Sequence, residues 1–201
     1  MTSRPGTRVR WPLFIGLAVA IVVVDQATKA VVTGSLRPGE SRPIIGDLVR
    51  IVFSQNSGAL FGLFKDNAAM FGIFSLGVIA LIVVYHSRTG GSTYMTLTLG
   101  LLLGGAIGNM LDRLRLGYVV DFVDGGLGNV RWYTFNVADA AISLAIVLLF
   151  VAALRPSLAE PVRPAAAAAG AEAGPATDAS PAGADPVAPT EPRPAAPGGE
   201  R

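Results

Sequence analysis

The sequence predicts an all-α integral membrane protein: four transmembrane helices, a small extracytoplasmic β-like segment, a short amphipathic or re-entrant piece, and a disordered C-terminal tail. Three observations carry this. The 201-residue chain is 51% hydrophobic and only 15% charged, where a soluble domain carries about 25% charge, and its mean hydropathy is +0.52. Apolar runs recur at 12–32, 68–85, 92–111 and 134–154, each close to the ~20 residues that a ~30 Å hydrocarbon core requires. After residue 155 the composition changes abruptly to Ala, Pro and Gly.

The first run follows Arg4, Arg8 and Arg10 and is interrupted by Asp25 and Lys29. It has the flanks of a secretory signal, but no small-x-small cleavage site follows and the apolar run continues past Asp25, so it is read as a retained helix. In the segment after it, the β-forming stretch Arg50–Ser54 follows the turn-like Pro43–Asp47, which predicts a short strand or two at the membrane surface. The small and apolar residues of Asn56–Phe64 predict the amphipathic or re-entrant piece. Its non-helical backbone must be buried in protein or line a wet cavity. The second and third runs carry no charge, and the fourth carries only Asp139. Residues 1–155 thus form the membrane domain. Residues 156–201 have no periodic apolar face with which to build a core, and are read as a disordered cytoplasmic tail.

Orientation follows from the basic residues beside the spans. Arg4, Arg8, Arg10, Arg88 and Arg155 fall on one side of a four-span chain, so both termini are cytoplasmic. Trp11 and Trp132 are read as interfacial anchors, and His86 as a solvated cytoplasmic loop residue. The net charge is only +2 and the basic residues are scattered, which excludes a nucleic-acid surface. The chain has no Cys and one His. That excludes disulfides, a thiol nucleophile and a His-rich zinc motif, and no cofactor or metal is expected.

The costly polar groups agree in depth. Asp25 lies roughly 20 Å into the first span at ~1.5 Å per residue. Asn109, Asp112 and Arg113 lie at the outer end of the third run, Asn136 and Asp139 at the outer end of the fourth, and Asn56 and Asp121 in the outer segments. Gly105, Asn109, Asp112 and Arg113 share one helical face, as do Asn136, Asp139 and Ser143. Gly104 and Gly108 make a small-xxx-small pattern that lets a neighbouring helix approach.

Each residue also has a plainer reading. Asp25 and Lys29, acid first at i,i+4, suit an intrahelical ion pair. Asp112 with Arg113 and Arg115 suits ordinary interface charge. Asp124 with Gly125 and Gly126 reads as a loop, Asp139 alone as a helix cap, and Asp121 alone as a surface acid. The pair is harder to dismiss. Both acids lie on the outer side between apolar neighbours, and an ionisable group at membrane depth is a functional-site hypothesis by default.

Asp25-Gln-Ala-Thr-Lys29, Asn56-Ser-Gly-Ala-Leu-Phe-Gly, Gly104-Gly-Ala-Ile-Gly-Asn109-Met-Leu-Asp112-Arg113-Leu, Gly117-Tyr-Val-Val-Asp121-Phe and Phe135-Asn136-Val-Ala-Asp139-Ala together resemble the ordered signature blocks of bacterial lipoprotein signal peptidase, signal peptidase II. The resemblance covers roughly residues 11–155. Its minor departures are the Phe61-Gly62 pair and Ala140, where Ser is frequent. It implies an aspartic endopeptidase of the bacterial plasma membrane that cuts diacylglyceryl-modified prolipoproteins before the lipidated Cys. By the match, Asp121 and Asp139 are the catalytic pair. Asn56, Asn109, Arg113 and Asn136 line the substrate site, and Asp25 and Lys29 support it. The implied partners are lipidated prolipoproteins, membrane lipids and globomycin-type inhibitors; the protein is expected to be a monomer.

Two carboxylates held close share a proton, so one acts as base on a water while the other polarises the scissile carbonyl. A proton-coupled carrier would instead spread polar residues through the whole bilayer, and the second span and the inner halves of the others carry none. A non-enzymatic membrane chaperone leaves the Asp pair unexplained. A serine intramembrane protease needs a base beside its Ser, and His86 is on the wrong side.

Overall fold

The computed structural model describes residues 9–57, 68–89 and 91–160. The piece expected at Asn56–Phe64 lies mostly outside these residues, as does all of the tail beyond residue 160.

Helix α1 (Trp11–Ser35) carries Pro in its first turn, where a missing N–H costs nothing. Strands β1 (Ser41–Ile45) and β2 (Val49–Asn56) follow, then α2 (Ala68–Thr89). Ser92 caps α3 (Thr93–Leu116) by accepting from the Met95 N–H, and Gly117, at φ 80°, ends it in the left-handed conformation. That conformation costs a glycine least. It turns the chain straight into β3 (Val119–Leu127), which returns as β4 (Val130–Arg131). Asn136 then caps α4 (Val137–Leu154). The strands form one antiparallel sheet in the order β1-β2-β3-β4.

Helices α1, α3 and α4 are long and apolar enough to cross a membrane; in α2 the apolar stretch is the shorter Ile73–Arg88. Over its most apolar window α3 is 56% buried against 22% for α1 and for α4, which makes α3 the central helix. Its glycines explain how neighbours come so close. A Cβ on Gly104 would lie 2.7 Å from Ile21 Cβ of α1, and one on Gly105 2.5 Å from the Ala138 carbonyl oxygen of α4. Val19, Val23 and Val31 of α1, Phe74 and Leu81 of α2, and Val147 and Phe150 of α4 point outward and exposed, as side chains facing lipid do.

One core lies between the helices around Phe14, Ala18, Ile82, Met95, Leu99 and Leu103. A second, of Val32, Leu36, Phe53, Val120 and Phe122, fastens the sheet to the end of α1.

Several sequence expectations need correction. The expected strand or two is a four-stranded sheet, and Asp124 lies on β3, ion-paired to Arg131 at 2.8 Å. His86 is not a solvated loop residue. It lies in α2, is fully buried, stacks on Phe14 with ring centroids 3.9 Å apart, and meets the Trp11 ring edge-on. The described residues continue a short way beyond residue 155. Pro156–Ala159 forms a 3-10 turn whose Leu158 carbonyl accepts from Ser92 Oγ at 2.7 Å.

Candidate active site

Strand register brings the two aspartates toward each other. Ser54 pairs with Asp121, while Ile51 pairs with Val123, so β2 carries one extra residue there. Such a bulge bends its strand and re-aims side chains. Asn56, just beyond it, donates to Asp121 Oδ2 at 3.0 Å. On the other side of β3, the Phe135 carbonyl accepts from the N–H groups of Phe122 and Val123, and the Phe135 N–H donates to the Val123 carbonyl. The chain therefore enters α4 pinned beside β3, and Asn136 arrives next to Asp121.

Asn136 is the junction. Its side chain accepts from the Asp139 N–H at 2.9 Å, while its own N–H donates to Asp139 Oδ2 at 3.3 Å, a reciprocal capping box. Its Nδ2 donates to Asp121 Oδ1 at 2.7 Å, and also contacts Asn109 Oδ1 and the Val120 carbonyl. One fully buried residue thus touches both carboxylates. Asn109 Nδ2 also donates to Asp139 Oδ1, at 2.7 Å. Arg113 donates to the Asn109 carbonyl and interacts electrostatically with Asp139 and Asp121.

Asp121, on β3 outside the helices, is only 3% exposed. Burial first, and then the charge of Asp139, push its pKa from 3.8 up to about 6, against the opposing hydrogen bonds from Asn56 and Asn136. Asp139 is half-buried in the first turn of α4.

Beneath this pair lies a closed ionic cluster. The Lys29 ammonium has three N–H bonds and three acceptors: Asp25 at 2.8 Å, Asp112 at 2.9 Å and Asn109 at 3.2 Å. Asp25 also accepts from the Ala138 N–H in the first turn of α4 at 2.9 Å, and Asp112 from the Val120 N–H at 3.0 Å. The cluster therefore fixes α4 and β3, the two elements that carry the aspartates, to α1 and α3. All eight residues expected at the site converge here. Gln26 was not expected. It donates to Asp112 at 2.8 Å and to Asp25 at 3.2 Å, tying α1 to α3; its place beside Asp25 at the depth of the other polar groups was the available signal. Among the described residues no cluster of His, Cys, Asp and Glu could hold a metal ion.

The family described as Signal peptidase (SPase) II matches residues 17–155, well over half the chain and every residue of the site. The chain belongs to the signal peptidase II family. It is accordingly an aspartic-type peptidase of the membrane. It is 36% identical over 135 residues to the lipoprotein signal peptidase of Halothermothrix orenii, covering 67% of this chain and 90% of that one. With the lipoprotein signal peptidase of Cupriavidus taiwanensis it shares 40% identity over 147 residues, 71% of this chain and 83% of the relative. A bacterial membrane enzyme solved by the in meso method at 2.3 Å resolution superposes with a TM-score of 0.69 at 25% identity, over 80% of this chain and 99% of that one. The signal peptidase II match and the convergence of the polar residues thus fall on the same part of the chain.

Proposed function

We propose that this enzyme removes the signal peptide from diacylglyceryl-modified prolipoproteins, cutting before the lipidated Cys with a water activated by Asp121 and Asp139. The observation that carries this reading is Asn136, which hydrogen-bonds to both carboxylates at once.

Asp139, held by Asn109, by the Asn136 N–H and by the helix N-terminus, keeps the negative charge. Asp121, more deeply buried, keeps the shared proton. Asp139 takes a proton from the water as its oxygen attacks the scissile carbonyl carbon, and Asp121 protonates the carbonyl oxygen. When the C–N bond breaks, Asp139 gives its proton to the departing Cys amine, and the hydroxyl proton returns to Asp121. No cofactor enters this cycle. Arg113 and Asn56 hold the substrate backbone beside the pair.

Helix α2 is the fourth span, both termini face the cytoplasm, and the sheet and site face outward from the plasma membrane. The enzyme acts as a monomer. Its outward apolar helix faces suit diacylglycerol chains entering from the bilayer.

The test is cleavage of a lipidated prolipoprotein in detergent by Asp121→Asn and Asp139→Asn. Both are expected to bind the substrate and leave it uncut. Full activity in either variant removes that residue from the mechanism. Equal cleavage of the unlipidated precursor by the unaltered enzyme overturns the substrate assignment.

A further inference from the structure

The end of the sheet farthest from α3 carries an apolar surface that the chemistry above does not use. Leu127, Val130, Trp132 and Tyr133 are 67%, 80%, 76% and 75% exposed, and Leu48 is 49% exposed. Leu127 and Val130 face each other across the β3–β4 hairpin, and Trp132 pairs beside Gly125 through its N–H. With Leu48, these side chains border a hollow of about 590 Å³ floored by Gly125 and Gly126.

This patch is held together. The β1–β2 turn and the β3–β4 hairpin are bolted to each other: the Gly126 N–H donates to the Leu48 carbonyl at 2.9 Å, the Gly128 N–H to Asp47 Oδ2 at 2.6 Å, and Arg131 to the Asp47 carbonyl at 2.6 Å. The nearby charges neutralise one another. Asp47 pairs with Arg50, and Arg131 with Asp124. The tip is thus a fixed apolar surface whose ionic groups already have partners.

We propose that these two joined hairpin tips form a foot that enters the lipid leaflet next to the sheet. Lipid is favoured over a soluble partner by continuity. Gly117 and Tyr118 alone separate the spanning helix α3 from β3, so the sheet starts at the bilayer surface. β3 is nine residues long, about 30 Å at ~3.3 Å per residue, enough to reach along that surface. A Trp-Tyr pair with aliphatic neighbours is also the composition of membrane–water interfaces. The foot would steady the sheet, and with it Asp121, at a fixed height above the bilayer.

Trp11→Phe leaves Trp132 as the sole tryptophan of the full chain, since the sequence has two. That variant would be reconstituted into phosphatidylcholine–phosphatidylglycerol vesicles carrying bromine either near the headgroup end or deep in the acyl chains. Trp132 is expected to be quenched strongly by the shallow bromines, weakly by the deep ones, and hardly at all by iodide in the water, as for a group ~5–10 Å into the interface. The added changes Leu127→Ser and Val130→Ser should restore iodide quenching. Free access of iodide with no bromolipid quenching overturns the proposal. So does protection that appears only when lipopeptide substrate is added, which would make the patch a substrate surface. Neither result depends on the roles given to Asp121 and Asp139.

Discussion

The side-chain amide nitrogen of Asn136 lies 2.7 Å from Oδ1 of Asp121. Asn136 is also the cap of the helix that carries Asp139. One side chain therefore couples the start of α4 to the acid on β3, and stability and chemistry should fail together when it is changed. Asn136→Ala should lose about 1 kcal/mol from the cap alone, and more from the unpaired buried groups left behind. Turnover should fall by a larger factor than that stability loss explains. Thermal unfolding and a cleavage assay on the same sample check both; turnover that falls no further than the folded fraction would remove the coupling.

Lys29 holds two buried carboxylates and an amide. Lys29→Met leaves Asp25 and Asp112 facing each other without their cation, and breaking a buried pair costs about 3–5 kcal/mol. The expected result is a large drop in unfolding temperature in detergent. Lys29→Met with Asp112→Asn should recover part of it, because one stranded charge is gone. A single variant as stable as the unaltered protein would mean the cluster carries no net weight.

Gly105 faces α4 at a distance that excludes a side chain. An added Cβ would sit 2.5 Å from the Ala138 carbonyl oxygen and 2.6 Å from Ile142. Gly105→Ala should push α4 away, weaken the Asn109–Asp139 hydrogen bond, and destabilise by about 1–3 kcal/mol. Gly77→Ala is the control, since nothing lies within 4 Å of its Cβ position. It should be neutral or stabilise by about 0.5–1 kcal/mol. Equal effects at the two sites would contradict the packing account.

His86 is buried with neither ring nitrogen hydrogen-bonded among the described residues. His86→Phe keeps the stacked ring on Phe14 and removes two unsatisfied polar atoms. It should stabilise by about 1 kcal/mol, read as a rise in unfolding temperature; a fall would show that the imidazole has a partner after all.

The sequence exposed the site more readily than the scaffold around it. Charged and amide residues in apolar runs are conspicuous, so Asp25, Asn109, Asp121, Asn136 and Asp139 could be read directly. In the sequence, the spacing of Asn136 and Asp139 reads as a shared helix face. It is also the spacing of a capping box, and the structure uses it that way. Strand β3 was illegible for a physical reason. Its first four residues are buried on both faces, with Val119 and Asp121 on one and Val120 and Phe122 on the other, so no alternation of apolar and polar residues marks the strand. His86 was misplaced because its burial comes from Trp11 and Phe14, far away in the chain. Gln26 is as conspicuous an amide as Asn109, but its role comes from Asp112 on α3, 86 residues away in the chain, and the adjacent Asp25 accounts for the polarity of that turn.

Stability should also follow pH through Asp121. Its pKa is raised from 3.8 to about 6, so between these values the folded protein holds a proton that the unfolded chain has released. This contribution makes stability fall as pH rises through that window, by roughly 3 kcal/mol in total. Asp121→Asn should flatten the slope, and urea or thermal unfolding at several pH values checks it. An unchanged slope would place the responsible group elsewhere.

The proton that the proposed dyad would share is open to infrared titration. With ¹³C-labelled aspartate, the substrate-free enzyme should show one buried carboxylic-acid band that disappears as pH rises through about 6, and Asp121→Asn should abolish it. Asp139→Asn should keep the band but move its loss to lower pH, because the neighbouring charge that raises the Asp121 pKa is gone. A band that titrates at the same pH with and without the Asp139 carboxylate would contradict the dyad.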